Sequence, residues 1–92
     1  MLRISADAEA GAPVRLRVEG EIAADWVPLL EAECRRHLDA LRQVELDLAG
    51  VGFVDRQGVA MVQGLLARGV RVARASALVN ALIGSNSDRG KT

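Results

Sequence analysis

Cysteine is almost missing from this chain. Cys34 stands alone, so no disulfide can close within the chain and no cysteine-based metal site can assemble. A single reduced thiol suits the cytosol. Aromatic residues are limited to Trp26 and Phe53, with no Tyr. That excludes the aromatic platforms on which single-stranded nucleic acids stack. An excess of either charge is also missing: 12 Lys+Arg balance 12 Asp+Glu. Nucleic-acid binding draws its affinity from a basic surface, and anionic membranes draw polybasic segments, so neither partner is expected. No apolar run approaches the length of a membrane span, so no direct membrane insertion is expected. Residues 1–7 show no basic region followed by an apolar one, as a secretory signal would. These absences predict a soluble, cytoplasmic protein.

Candidate catalytic groups are equally sparse. His37 is the only histidine. It lies beside the apolar stripe of a helix, with Glu33 four residues back as its one nearby partner, and nothing completes a catalytic or metal site around it. Cys34 falls on the stripe itself and reads as a small buried hydrophobe. The terminal run Gly84-Ser85-Asn86-Ser87-Asp88-Arg89-Gly90-Lys91-Thr92 has the look of a phosphate loop but fails as one. Five residues separate its glycines where four are needed, and no helix follows to face the phosphate. No catalytic residue, no metal ligand set and no cofactor is expected, and the chain is read as a non-enzyme.

What remains is a chain of 92 residues, half of them hydrophobic, enough for one modest core. Leu2-Arg3-Ile4 alternates weakly, as an edge strand would. Residues 6–13 read as a turn around Gly11 and Pro13. Val14 to Val18 alternates apolar with basic residues, the period of a half-buried strand. Asp25 reads as a helix cap, and from there to Leu41 the residues Trp26, Leu30, Cys34, Leu38 and Leu41 recur at helical spacing, with Pro28 in the first turn, where its missing N–H costs nothing. In that register Trp26 is expected to pack on the core. Val44 to Leu48 alternates again, with Asp47 facing solvent, and Gly50 and Gly52 mark a loop. A nearly all-apolar helix follows, capped near Asp55 and ending at Gly69. Val70 to Ala73 is a fourth strand. Ser76 caps a last helix carrying Leu78, Val79, Leu82 and Ile83.

The order β-β-α-β-α-β-α predicts an α/β fold: a hairpin, then parallel strands joined by right-handed crossovers in a mixed sheet of about four strands. Residues 1–84 form the single domain, and 85–92 a flexible polar tail.

The segment Val44 to Gly58 resembles the central signature of the STAS domain, named after sulfate transporters and anti-sigma-factor antagonists. Leu46-Asp47-Leu48-Ala49-Gly50-Val51 and Phe53-Val54-Asp55 carry the match, and Gly58 matches the closing glycine. Upstream, Val18-Glu19-Gly20-Glu21-Ile22 is similar to the family element that precedes the first helix. The resemblance implies the STAS fold and a protein-binding surface formed by Phe53, Asp55, Arg56, Gln57 and Gly58. In the family's bacterial antagonists, a Ser or Thr just before the glycine is phosphorylated by a partner kinase that is itself the anti-sigma factor. Here that position is Gln57, which has no hydroxyl, preceded by Arg56; Ala23 replaces the acidic residue of the upstream element. The resemblance therefore implies a regulatory module of signal transduction and transcription control without the phosphorylation switch. Its alternative is an accessory subunit on the ATPase of a lipid-type membrane transporter. Many family members continue with a further strand and helix, so the sheet here is expected to leave an edge open to a partner or to a homodimer.

Overall fold

The computed structural model of the chain describes residues 1–87, with side chains given for residues 1–84. Seven elements follow in the expected order: β1 (Leu2–Asp7), β2 (Val14–Ile22), α1 (Trp26–Asp39), β3 (Val44–Val54), α2 (Arg56–Ala67), β4 (Arg71–Ala75) and α3 (Ala77–Ser87). The strands form one sheet in the order β1-β2-β3-β4. β1 runs antiparallel to β2, whereas β2–β3 and β3–β4 are parallel. The two crossovers step across the sheet in the same direction. Right-handed connections therefore place α1 and α2 on one face. α3 meets both α2 and β3, so it lies there too.

The alternation of β2 decides which face this is. Val14, Leu16, Val18 and Ile22 are buried beneath the helices, while Arg15, Arg17, Glu19 and Glu21 are exposed on the opposite face. From β3, Leu46, Leu48, Val51 and Val54 join the core. Val27, Leu30 and Cys34 of α1 and Met61, Val62 and Leu65 of α2 close it from above. Ser76 caps α3, its Oγ accepting from the Val79 N–H at 3.1 Å. α3 continues through Ser87, past the expected domain boundary at 84, and residues 88–92 of the expected tail lie outside those described.

Several expectations needed correction. The loop expected at Gly50 and Gly52 is strand, because β3 continues to Val54. Register shifts against β2, between Arg17 and Glu19 and between Gly20 and Glu21, absorb the irregularity. A Cβ on Gly50 would lie 2.9 Å from Glu19 Cγ, so the glycine permits a close approach rather than a turn. Trp26 is 37% exposed, and its neighbour Val27 takes the buried position. One residue turns a helix by about 100°, so the core-facing stripe is Val27, Leu30 and Cys34. Leu41 lies beyond the helix at a positive φ of 61° and is exposed. Asp25 makes no side-chain cap bond. Asp47, expected in solvent, is only 4% exposed. Its Oδ1 accepts from the Ala49 N–H at 3.1 Å, and the Arg74 guanidinium lies 3.8 Å from its Oδ2.

Candidate functional site

β2 and β3 are parallel, so their C-terminal ends lie side by side, and the next helix starts from each. Ile22 pairs with Val54, and the Asp55 N–H donates to the Ile22 carbonyl at 3.0 Å. Asp55 itself is extended, with φ −81° and ψ 179°, and caps α2: its Oδ1 accepts from the Gly58 N–H at 2.7 Å. Its other oxygen, Oδ2, accepts from the Ala24 N–H at 2.9 Å, thirty-one residues away. One carboxylate therefore ties the start of α2 to the loop that leads into α1. Ala24 holds a positive φ of 53°, and the bond to Asp55 secures that uncommon conformation. The backbone donors Ala24, Gly58 and Gln57 hold the Asp55 carboxyl below its ordinary pKa, against a weaker opposing effect of desolvation.

Gly58 is buried under this clamp. A Cβ there would meet the Ile22 carbonyl oxygen at 2.6 Å and Val54 Cγ1 at 2.8 Å. Of the five expected contact residues, Gly58 therefore sets the seat of α2 against β2, and Asp55, half-buried, locks it. Arg56 and Gln57 stand exposed on the first turn of α2, and Phe53 is 47% exposed. No acidic residue follows the Asp55 cap in that first turn. Trp26 opens α1 at the same end of the sheet, and Leu29, one turn later, is 54% exposed. Exposed apolar residues around a polar helix start make a surface suited to a protein partner.

Burial, reinforced by Glu33 and Glu31, pushes the Cys34 thiol up to about 12, so the thiolate is not available. The His37 imidazole is half-buried, with Nε2 3.8 Å from Glu33 Oε2. Among the described residues no group of three His, Cys, Asp or Glu converges to hold a metal. A concavity of about 510 Å³ lies where β2 begins, between residues that include Asp7, Glu9, Arg15 and Glu45. It is at the other end of the sheet from Asp55. No Ser, Thr or Tyr occurs between Ser5 and Ser76, so neither position 57 nor its neighbours along the chain carry a hydroxyl.

A family model described as "Mlab, STAS domain" matches residues 5–83. The chain belongs to this STAS family. The solved structure "Structure of the Anti-Sigma Factor Antagonist SpoIIAA in its Unphosphorylated Form" has the same fold, with a TM-score of 0.68 over 97% of this chain and 98% of that one, at 15% identity. No curated protein matches the chain.

Proposed function

We propose that this chain is a non-catalytic interaction module that binds a protein partner through Phe53, Arg56 and Gln57, with Asp55 and Gly58 holding them in place. One observation carries the reading: the Asp55 carboxylate, bonded to both Ala24 and Gly58, fixes the exposed first turn of α2 beside the exposed Phe53. Arg56 supports it. A cation at the positive end of a helix is disfavoured by about 0.3–1 kcal/mol, so its use lies in contact rather than in stability. The partner class that the antagonist resemblance implies is an anti-sigma-factor kinase in the cytoplasm. Binding would be constitutive, since Gln57 offers no hydroxyl to phosphorylate. The same missing hydroxyl favours the second reading, an accessory subunit on the ATPase of a lipid-type transporter, which needs no such switch.

The test is affinity capture from native cytosol with the wild type beside Gln57→Glu, read by mass spectrometry. A kinase-fold anti-sigma factor retained by the wild type and lost from the variant supports the regulatory reading. A transport ATPase captured in the same way supports the second. A partner that binds both forms alike moves the interface away from α2. Where Gln57 is buried in the contact, the carboxylate weakens binding by about 1–3 kcal/mol.

A further inference from the structure

The uncovered face of the sheet carries charges in rows, and the sign alternates along them. In one row Arg71, Glu45, Arg15 and Asp7 follow one another from β4 to β1. Arg15 Nη2 and Glu45 Oε1 in that row are 3.1 Å apart. The next row runs Arg74, Asp47, Arg17, Ser5, and the one after it places Arg3 beside Glu19. The sheet stops at β1, so its free edge shows a negative residue, Asp7, at one end, a positive one, Arg3, at the other, and Ser5 midway.

The two edges of the sheet are built differently. β4 has five residues, two of them exposed arginines, and its pairing with β3 carries a register shift, all devices that discourage further pairing. β1 has no proline, no lysine and no register shift over its six residues. Its backbone polarity is also fixed. The Glu21 N–H donates to the Met1 carbonyl at 3.0 Å, and Met1 stands opposite Glu21 in the antiparallel register. Odd-numbered residues of β1 therefore bond to β2, and the N–H and C=O groups of Leu2, Ile4 and Ala6 point outward.

We infer that β1 pairs antiparallel with β1 of a second copy, about a two-fold axis through Ser5, joining two four-stranded sheets into one. In this register Ile4 and Ala6 of the two copies exchange backbone hydrogen bonds, which uses the outward-pointing set. Arg3 then faces Asp7 of the second copy, twice by symmetry, in the non-hydrogen-bonded positions where side chains come closest. The row of alternating signs continues unbroken: Arg71, Glu45, Arg15, Asp7, then Arg3 and Glu19 of the second copy. Ile4, half-buried at the core's margin, gains an apolar neighbour in Ala6. Neighbouring registers do worse. An axis through Ile4 sets Arg3 against Ser5. An axis through Ala6 sets Asp7 against Ser5 and sends Arg3 to Glu9, in the turn beyond the strand. The contact is isologous and closes on itself, so it produces a dimer and not a fibre. It requires nothing of the surface around Gln57, so either reading can fail without the other.

The test reads both mass and register. Sedimentation velocity of the wild type at rising micromolar concentration is expected to show a dimer. Ser5→Cys puts one thiol from each copy across the axis, and in a glutathione redox buffer it should form an intermolecular disulfide at least ~10-fold faster than Arg3→Cys, whose two thiols stand several residues apart. Ala6→Pro removes two of the four inter-copy hydrogen bonds and none from the β1–β2 ladder, and should raise the dimer dissociation constant at least ~10-fold. A thermal melt checks that each variant is folded. If Ala6→Pro does not fold, the comparison of the two cysteine variants decides alone. A wild type that stays monomeric, a Ser5→Cys rate equal to that of Arg3→Cys, or a folded Ala6→Pro that dimerises as before each overturns the inference.

Discussion

Position 57 separates stability from binding. Gln57 is exposed at the start of a helix whose first turn has no acid. Gln57→Glu should therefore stabilise the free protein by about 0.3–1 kcal/mol, through the helix dipole, while it weakens partner binding. A melt and a titration on the same sample check both signs. Asp55 works the other way. Its carboxyl is held below the ordinary value of 3.8 by the Ala24, Gly58 and Gln57 N–H groups. A group with a depressed folded-state pKa contributes stability above its unfolded value and loses that contribution as pH falls through the folded one. Asp55→Asn is expected to melt a few degrees lower than wild type at neutral pH, with the gap narrowing below about pH 4. A gap constant with pH would mean that the bonds to Ala24 and Gly58 do not depend on the charge. Cys34 is the third case. Buried, with its thiol pushed up to about 12, it should resist thiol reagents in the folded protein at neutral pH and react only on unfolding.

At the scale of elements, the seating of α2 depends on having no side chain at position 58. Gly58→Ala drives a methyl to 2.6 Å from the Ile22 carbonyl, a backbone atom that cannot rotate away. A cost of about 1–3 kcal/mol is expected, from overpacking that outweighs the alanine's better helix propensity. A denaturant titration with an unchanged slope would measure it. The same elements show what could be read from residue order. The alternation in β2 and the Ser76 cap were legible because each is a local pattern with one physical cause. β3 was not, because the bulges that let its strand run through Gly50 and Gly52 are a property of its pairing with β2. Trp26 misled because it sits one residue from Val27, and at the first turn of a helix either can lead the stripe. Asp47 misled because alternation gives the face of a strand but not what lies over it. It is on the open face, and Ala49 and Arg74 are its partners there. Around the candidate site, the cap at Asp55 was legible, but its bond to Ala24 was not, since thirty-one residues separate the two.

For the whole molecule, fold and assembly rest on different forces, and salt tells them apart. The core beneath the helices is apolar throughout. On the open face the Arg15–Glu45 pair is partly solvated, its side chains 50% and 25% exposed, and Arg74 meets the buried Asp47 with a side chain that is 68% exposed. Exposed pairs contribute about 0–1 kcal/mol each. Raising salt from about 0.1 M to about 1 M shortens the screening length from about 10 Å to about 3 Å. The melting temperature should therefore change little. The β1–β1 contact is different, because Arg3 and Asp7 face each other across it twice and its apolar share is small. Its dissociation constant should rise several-fold over the same range, followed by sedimentation velocity at each salt concentration. A dimer that tightens with salt would be an apolar one, and the exposed Trp26, Leu29 and Leu41 would be the residues to substitute next.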